Sequence, residues 1–326
     1  MTDPTDPTDP TDPTDPADPA DLDVTVHDAS APLSAPDVAA SLAVAADAAD
    51  VDASAPLSEQ FRLALRAAST EGAAGVRHVV ARERGRVVGY AQVRDGAPGE
   101  PPSAELVVAP AARRHGVGTL LLGALPPDAR VWSHASGPAG EAAAAFAEAL
   151  GLRPVRALHV MGRSLVEGPG WPAAVVPERY AVRRFEPGRD EDAWIALNAA
   201  AFAHHPEQGS LTRVDLDQRT AEPWWDPDGL LLVVEASEPD RLVASHWTKV
   251  DPPDGEVGEV YVVAVSPEHQ GEGLGRAVTV LGLDHLRSLG LARVVLYVDE
   301  DNTAAVRTYR SLGFEDVEVH RQFARP

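Results

Sequence analysis

The 326-residue chain carries 50 acidic side chains against 28 basic ones, which gives a formal net charge of −22. This charge argues against binding nucleic acid through a basic surface. The sequence contains no cysteine, which excludes a disulfide framework, a thiolate zinc site and a cysteine nucleophile. It shows no apolar run long enough to span a bilayer and no signal peptide. We therefore expect a cytoplasmic protein that binds neither nucleic acid nor membranes.

Residues 1–21 differ from the rest of the chain in composition. Five copies of Thr-Asp-Pro are followed by Ala-Asp-Pro-Ala-Asp, so the segment combines proline with charge and has no large apolar side chain after Met1. It is predicted to be a disordered tail. A stretch rich in proline and glycine, 166–178, is predicted to be a linker. We expect one domain at 22–165 and another at 179–326.

The first half of the chain predicts a mixture of strands and helices. Short β-branched runs indicate strands, and longer segments rich in alanine and leucine indicate helices. The predicted strands are 22–29, 77–84, 86–94, 103–110 and 131–135, and the predicted helices are 34–50, 56–70, 119–125 and 141–151. Gly85 joins two of the strands in a predicted hairpin.

The second half repeats this order. The predicted strands are 178–185, 230–236, 242–250, 256–265 and a run beginning at residue 293, and the predicted helices are 191–202, 211–220, 277–290 and one after residue 302. Four positions correspond at a spacing of 157 residues: Pro110, Arg113, Gly116 and Gly118 correspond to Pro267, Gln270, Gly273 and Gly275. The chain is therefore predicted to contain one α/β fold in two tandem copies.

Gly271, Gly273 and Gly275 lie between a predicted strand and a predicted helix, in a turn suited to an anion. Glycines allow the backbone to approach a ligand, and the first-turn N–H groups of a helix have no intrahelical partner. The spacing does not match the G-x-G-x-x-G of a dinucleotide fold. A P-loop needs a lysine after the glycines, and the chain's only lysine is Lys249, so this alternative also fails.

The turn and its surroundings resemble a known family. Gln-x-x-Gly-x-Gly at residues 270–275, directly after a strand, resembles the acetyl-CoA pyrophosphate loop of the GCN5-related N-acetyltransferases (GNAT). Residues 293–314, with Asn302, Tyr309 and Leu-Gly-Phe, resemble the second half of the same core. The resemblance implies two tandem GNAT domains with mixed α/β sheets, and acetyl-CoA as co-substrate.

The tandem arrangement, with residues 197–209 and 222–230, resembles more narrowly the mycothiol synthases, a branch of this family. This resemblance implies that the acceptor is the cysteinyl amine of a cysteine–glucosamine–inositol conjugate. Adjacent His204 and His205 fall in the predicted acceptor lid and are not interpreted as a metal site. We expect an enzyme that uses no metal and is monomeric.

Acetyl transfer to an amine needs a base, donors for the developing oxyanion and an acid for the leaving thiolate. Glu259 is the candidate base, and Tyr309 is the candidate acid. The N–H of Val263 or Val265 is the candidate oxyanion donor, on a strand that diverges from its neighbour after position 262. Strand alternation predicts that Glu259, Tyr261 and Val263 share one face. The structural alternatives are an edge salt bridge for Glu259 and simple ring packing for Tyr309.

The first half lacks these groups. Glu259 lies 157 residues after Pro102. Leu150-Gly151 corresponds to Leu312-Gly313, 162 residues later, and counting back from these pairs places Asn302 at Gly140 and Tyr309 at Ala147. We therefore expect the first domain either to bind acetyl-CoA or only to stabilise the pair, and the second domain to carry out catalysis.

The family resemblance also assigns binding residues. Acetyl-CoA contacts in the second domain fall on Val263, Ala264, Val265, Gln270, Gly271, Glu272, Gly273, Leu274, Gly275, Arg276, Asn302, Thr303, Ala304, Ala305, Val306 and Arg307. Those in the first domain fall on Leu106, Val107, Val108, Arg114, His115, Gly116, Val117, Gly118 and Thr119. Acceptor contacts fall on Glu59, Glu207, Lys249, Glu259 and Tyr297. Asn302 is also explained as a plain helix N-cap, and Lys249 as a salt-bridge partner at the rim of the site.

Two other functions remain open from the sequence. The first is another GNAT enzyme, acting on an aminoglycoside or a protein N-terminus. The second is a non-enzymatic acyl-CoA-binding scaffold, against which the presence of Glu259, Asn302 and Tyr309 in one half argues.

Overall fold

The computed structural model describes residues 22–69, 75–203, 208–250 and 255–326. The predicted tail lies outside these ranges. The chain divides into two compact units, the first reaching Arg94 and including Ala104–Val131, and the second formed by Asp95–Ser103 and Trp132–Pro326. This division differs from the predicted one, which placed the boundary at 166–178.

The first unit contains a sheet in the order β1-β2-β3-β4. Its elements are β1 (Leu22–His27), α1 (Ala35–Asp52), α2 (Glu59–Ala67), β2 (Val76–Glu83), β3 (Arg86–Arg94), β4 (Ser103–Val108) and α3 (Val117–Gly123). Ser34 caps α1 by accepting a hydrogen bond from the Asp37 N–H at 3.2 Å, which satisfies one of the otherwise unpaired donors at the helix start. Apolar side chains of α1 and α2 pack with Val80 and Tyr90 of the sheet.

The second unit contains a larger mixed sheet. Its elements are β5 (Arg130–Ser133, which begins in the first unit), α4 (Gly137–Ala149), β6 (Arg153–Ser164), β7 (Tyr180–Arg184), α5 (Glu191–Ala201), α6 (Arg213–Thr220), β8 (Leu230–Glu235), β9 (Glu238–Val250), β10 (Val257–Val265), α7 (Leu274–Ser288), β11 (Arg293–Asp299), α8 (Thr303–Ser311) and β12 (Glu315–Ala324). The strand order is β5-β12-β6-β11-β10-β9-β8-β7. The predicted α/β class is confirmed.

β6 joins this sheet although it precedes the predicted linker in sequence. It pairs antiparallel with β11 on one side, where Arg293–Asp299 lie opposite Leu158–Ser164. On the other side it pairs antiparallel with β12. β11 and β12 are joined through α8 and do not pair with each other, so β6 satisfies the backbone groups that would otherwise form two open edges.

The sheet of the second unit buries both of its faces around β9 and β10. On one face, Val260 packs with Leu283 and Leu286 of α7 and with residues of α8. The other face carries a tryptophan cluster, formed by Trp194, Trp224, Trp225 and Trp247. These two apolar layers fix β10, the strand that carries the candidate base.

Candidate active site

The parallel pairing of β10 with β11 ends partway along both strands. Val257–Val260 pair with Arg293–Leu296, whereas β10 continues to Val265 and β11 to Asp299. Beyond this point β10 keeps its pairing with β9. The two strands therefore open a wedge from residue 261 onward, close to the predicted position.

The backbone of Val263 and Val265 faces this wedge. The Ser266 N–H donates to the Val243 carbonyl of β9 at 2.8 Å, and in an antiparallel ladder every second residue bonds to the same neighbour. The Ala264 N–H therefore points to β9. The N–H groups of Val263 and Val265 point the other way, toward the side that β11 has left.

The glycine turn follows the wedge. Gly271 and Gly273 adopt positive φ angles of 83° and 81°, and Gly273 is the N-cap of α7. A Cβ added at either glycine would meet no atom within 4 Å, so the loop surface is open there. The first-turn N–H groups of α7 lie at this end of the helix, where the macrodipole favours negative charge. The loop thus fits a pyrophosphate group.

Glu272 lies in the loop, but its carboxylate is held by side chains at β7. It accepts a hydrogen bond from the Tyr180 hydroxyl at 2.5 Å and pairs with the Arg179 guanidinium. The hydrogen bonds from Arg179 and Tyr180 lower the pKa of Glu272. Arg276 donates to Ser311 Oγ at 2.5 Å, which connects α7 to α8. The anionic side chain of the loop is therefore neutralised within the protein.

Glu259 lies opposite Lys249 in the ladder between β9 and β10. Lys249 is only 4% exposed, and its Nζ lies 4.9 Å from the ring centroid of Trp224 and 5.3 Å from that of Tyr261. The two aromatic rings stabilise the buried ammonium by cation–π interaction. The Tyr261 hydroxyl accepts a hydrogen bond from Arg219 Nε at 2.9 Å. Lys249 is therefore buried rather than placed at the rim of the site, and its role as an acceptor contact or a salt-bridge partner stays a prediction.

A β-bulge at Tyr261 changes the faces on which the β10 side chains lie. The register with β9 shifts between Val260 and Val262, so Tyr261 is the extra residue. Val260 packs against α7, Val262 packs in the tryptophan cluster, and Val263 packs on the α7 face again. The prediction that Glu259, Tyr261 and Val263 share one face is therefore wrong for Val263.

Tyr309 lies in the apolar layer beneath the wedge. It is 9% exposed, and its ring packs edge-on against Phe314 with centroids 5.8 Å apart. Burial raises the pKa of Tyr309 to about 12, so the phenol is protonated at neutral pH. The ring packing proposed as its structural alternative is present, and a protonated phenol is the form that a proton donor requires.

The predicted contacts near α8 and β11 lie as follows. Asn302 is the N-cap of α8, and its Oδ1 accepts a hydrogen bond from the Ala305 N–H at 3.2 Å; Thr303 to Arg307 form the first turns of that helix. Tyr297, in β11, is 47% exposed. Glu59 is the first residue of α2 in the first unit. Glu207, like His204 and His205, lies outside the described residues.

The loop of the first unit keeps the backbone conformation of the glycine turn. Gly116, the N-cap of α3, has a φ of 88°, and Arg114 has a φ of 68°; both positions are glycine in the second unit. Arg113 forms a bidentate pair with Asp52 at 2.8 and 2.7 Å. Leu106 to Val108 end β4, before this loop. The backbone cradle is therefore present twice.

The described residues contain no group of three or more His, Asp or Glu side chains arranged to bind a metal ion. Within the same ranges, no helix combines the length and the apolar character that crossing a bilayer requires.

Family models match both halves. The acetyltransferase (GNAT) family matches residues 195–314, and an acetyltransferase (GNAT) domain matches residues 74–152. The chain is 49% identical over 286 residues to the mycothiol acetyltransferase of Thermobispora bispora, covering 85% of this chain and 92% of that protein. The mycothiol acetyltransferase of Rhodococcus erythropolis is 45% identical, with the same two coverages of 85% and 92%. The chain belongs to the mycothiol acetyltransferase family.

Members of the wider GNAT fold provide structural neighbours for this family member. A tandem GNAT protein from the clavulanic acid biosynthesis pathway superposes with a TM-score of 0.66 at 21% identity, covering 92% of this chain and 98% of that one. A GCN5-related N-acetyltransferase from Sphaerobacter thermophilus gives a TM-score of 0.60 at 24% identity, covering 92% and 94%. These neighbours support the fold alone. The predicted tandem GNAT architecture and acetyltransferase class are confirmed.

Sequence reasoning did not identify the side chains that surround Lys249 in this mycothiol acetyltransferase family member. The rings of Trp224 and Tyr261 lie beside the ammonium, and Arg219 donates a hydrogen bond to the Tyr261 hydroxyl. None of the three was assigned a role from the sequence. A signal was present, because a single lysine in a predicted apolar strand needs compensating partners. The tryptophan pair at 224–225 was a candidate source of such partners.

Proposed function

We propose that this chain is a mycothiol synthase, which transfers the acetyl group of acetyl-CoA to the cysteinyl amine of the cysteine–glucosamine–inositol conjugate. The observation that supports the transfer most directly is the wedge, with the Val263 and Val265 N–H groups facing it and the glycine turn at its end. The identity of the acceptor is supported by the relatives named above.

The main-chain groups of the second unit would hold and polarise the thioester. The first-turn N–H groups of α7 bind the pyrophosphate, and the N–H of Val263 or Val265 donates to the carbonyl oxygen as it becomes an oxyanion. Acetyl-CoA, when bound, supplies an acyl group activated as a thioester. A donor placed in advance needs no reorganisation as the charge develops.

Glu259 would accept a proton from the acceptor. A cysteinyl α-amine has a pKa of about 7.7–8.0 and is mostly protonated at neutral pH, so it must lose a proton before nitrogen can attack the carbonyl carbon. The carboxylate lies on the central strand beside the wedge and opposite Lys249. We propose that Glu259 takes this proton, directly or through water.

Tyr309 would complete the reaction. As the new C–N bond forms and the C–S bond breaks, the sulfur gains negative charge and needs a proton. Burial raises the pKa of Tyr309 to about 12, which keeps the phenol protonated at neutral pH. We propose that it donates a hydrogen bond and then its proton to sulfur. Solvent then restores the phenol.

The decisive experiment measures acetyl-CoA consumption with the conjugate as acceptor, and with free cysteine and an aminoglycoside as controls. We expect turnover on the conjugate and little on either control. Glu259→Gln and Tyr309→Phe should each lower kcat by about 10²–10⁴-fold and leave the KM for acetyl-CoA within about twofold. Turnover on the aminoglycoside alone would show that the proposed acceptor is wrong. Full activity in a variant that combines Glu259→Gln and Tyr309→Phe would show that the proposed mechanism is wrong.

The remaining assignments are also proposals. Lys249, Tyr297, Glu59 and Glu207 are proposed acceptor contacts, and the loop at 114–119 with residues 106–108 is a proposed second acetyl-CoA site. Isothermal titration of acetyl-CoA would distinguish one bound equivalent from two. A monomeric, cytoplasmic enzyme is proposed, and sedimentation equilibrium would test the monomer.

A further inference from the structure

Tyr297 is an exposed aromatic residue on a strand whose other side chains are mostly covered. It follows Val295, which lies opposite Glu259 in the pairing of β10 with β11, and side chains two residues apart share a face of a strand. Tyr297 therefore lies on the same face as Glu259, one strand away and two residues further along. Its Cα lies on the order of 8 Å from that of Glu259 by strand geometry.

Two histidines support the ring of Tyr297. The His320 ring, on β12, lies 5.7 Å from the Tyr297 ring between centroids, at an interplanar angle of 49°. His320 is only 7% exposed, and its Nδ1 lies 3.1 Å from Nδ1 of His134, which follows β5. One imidazole donates and the other accepts in this contact, so the pair requires one unprotonated ring nitrogen. Burial and the neighbouring His134 lower the pKa of His320 to about 4, which keeps His320 neutral at pH 7.

The support continues through an aromatic and ionic chain back to β11. His134 stacks on Trp132, with centroids 5.8 Å apart at 13°, and the Arg156 guanidinium lies 5.1 Å from the Trp132 ring. Arg156 also forms a bidentate pair with Asp299 at 2.6 and 2.7 Å. Asp299 is two residues after Tyr297 on β11. The contacts therefore form a continuous series of side chains that begins at Tyr297 and ends at Asp299, both on β11.

This series of contacts lies within the second unit, beside the face of the sheet that carries Glu259 and Tyr297. Its members include a partly buried ion pair, a stacked pair and a hydrogen-bonded histidine pair, which together restrict the rotamers available to each side chain. In this series Trp132 is 6% exposed, whereas Tyr297 is 47% exposed. An exposed tyrosine held in one orientation presents both an apolar ring face and a polar hydroxyl to a ligand.

We infer that His320 and His134 are positioning residues that fix Tyr297 against the hydroxyl-rich part of the acceptor. This inference rests on the proposed function. The amine of the acceptor is bound at Glu259, and the part that extends along β11 reaches Tyr297. Tyr297 contacts a part of the acceptor that is remote from the reacting atoms. If Tyr297 is no longer held in one orientation, the KM for the acceptor rises and kcat is unchanged.

The test compares variants of the full-length chain by steady-state kinetics. His320→Leu removes both the ring contact and the hydrogen bond, and we expect it to raise the KM for the conjugate about tenfold, with kcat and the KM for acetyl-CoA within about twofold. His320→Phe keeps an aromatic ring beside Tyr297 and should recover most of that loss. His134→Leu, at a half-buried position, should raise the same KM by a smaller factor and serves if His320→Leu does not fold.

His159 provides the matched control. It lies on β6 between the same strands but on the opposite face, where its Nδ1 contacts Asp316 at 2.9 Å. His159→Leu should leave the conjugate KM within about twofold. An unchanged conjugate KM in folded His320→Leu and His134→Leu would overturn the positioning role while the proposed function stands. A wild-type chain that does not acetylate the conjugate would overturn both.

Discussion

Gly282, in the middle of α7, is predicted to be intolerant of alanine, although alanine is the better helix former. The glycine is buried against His246 of β9, which is fully buried. A Cβ added at Gly282 would lie 2.7 Å from His246 Nε2 and closer still to Cε1 and Nδ1. The imidazole cannot remain where it is, because carbon and nitrogen atoms that are not bonded need more than 3 Å.

Two opposing terms give the magnitude. Gly→Ala in a helix interior gains about 1 kcal/mol from propensity. Displacing His246 breaks the hydrogen bond that its Nδ1–H donates to the Val278 carbonyl at 2.7 Å, worth about 0.5–1.5 kcal/mol, and overpacks a close-packed layer at about 1–3 kcal/mol. We expect Gly282→Ala to destabilise the chain by about 1–3 kcal/mol net.

Urea unfolding of matched alanine variants measures this balance. Gly275, in the first turn of the same helix, is the control, because a Cβ there meets only Val265 Cγ2 at 3.7 Å, an ordinary contact. Gly275→Ala should be neutral or stabilising by up to about 1 kcal/mol. In a His246→Ala background, Gly282→Ala should lose most of its cost, giving a coupling of about 1 kcal/mol or more. Equal stability of the two glycine variants, or simple additivity in the cycle, would refute the steric argument.

Three further predictions follow from burial and pairing. Burial lowers the pKa of three histidines to about 4, namely His78, His246 and His320. As the pH falls, the unfolded state takes up protons at these histidines before the folded state does. Their contribution to the free energy of unfolding is therefore fully present above pH 6.5 and is lost toward pH 4, by about 2 kcal/mol per histidine at pH 5. A urea midpoint that does not change from pH 7 to 5 would contradict this. A fragment 166–326 lacks β6 and should unfold without cooperativity, whereas 132–326, which retains it, should unfold in one transition by circular dichroism; equal behaviour of the two fragments would count against the pairing. Trp224→Leu removes one ring from the buried Lys249 ammonium and should raise the acceptor KM about threefold to tenfold, with no change in the acetyl-CoA KM as the check on folding; an unchanged acceptor KM would show that the ring is not needed.

Much of the fold could be predicted because its signals are local. The hairpin at Gly85, the glycine turn at 271–273 and the helix that follows each depend on a few neighbouring residues, whose φ preferences and periodicity are visible in the sequence. The strands β6 and β12 were not predicted, and neither was the insertion of β6 between β11 and β12. A strand's own pattern specifies which face is buried but not which distant strand lies beside it.

The candidate site shows the same division. The glycine turn was predicted from the order of strand, turn and helix, and the divergence of β10 was predicted after position 262, whereas its pairing with β11 ends at Val260. The enclosure of Lys249 was not, because it depends on the bulge at Tyr261, and a bulge is determined by pairing with β9 rather than by local propensity. The bulge also explains why strict alternation assigned Val263 to the wrong face.

The two halves share a loop conformation but differ in the side chains around it. The loop needs only backbone conformation, and Arg114 and Gly116 still supply it in the first unit. The reactive set needs side-chain positions that the first half no longer has. Pro102 precedes β4, whereas Glu259 lies inside β10, so the corresponding strand is shorter. Asn302 is the N-cap of α8, whereas Gly140 is the fourth residue of α4, whose N-cap is Ser136. We therefore propose that the first half keeps the loop and that the chemistry takes place in the second half.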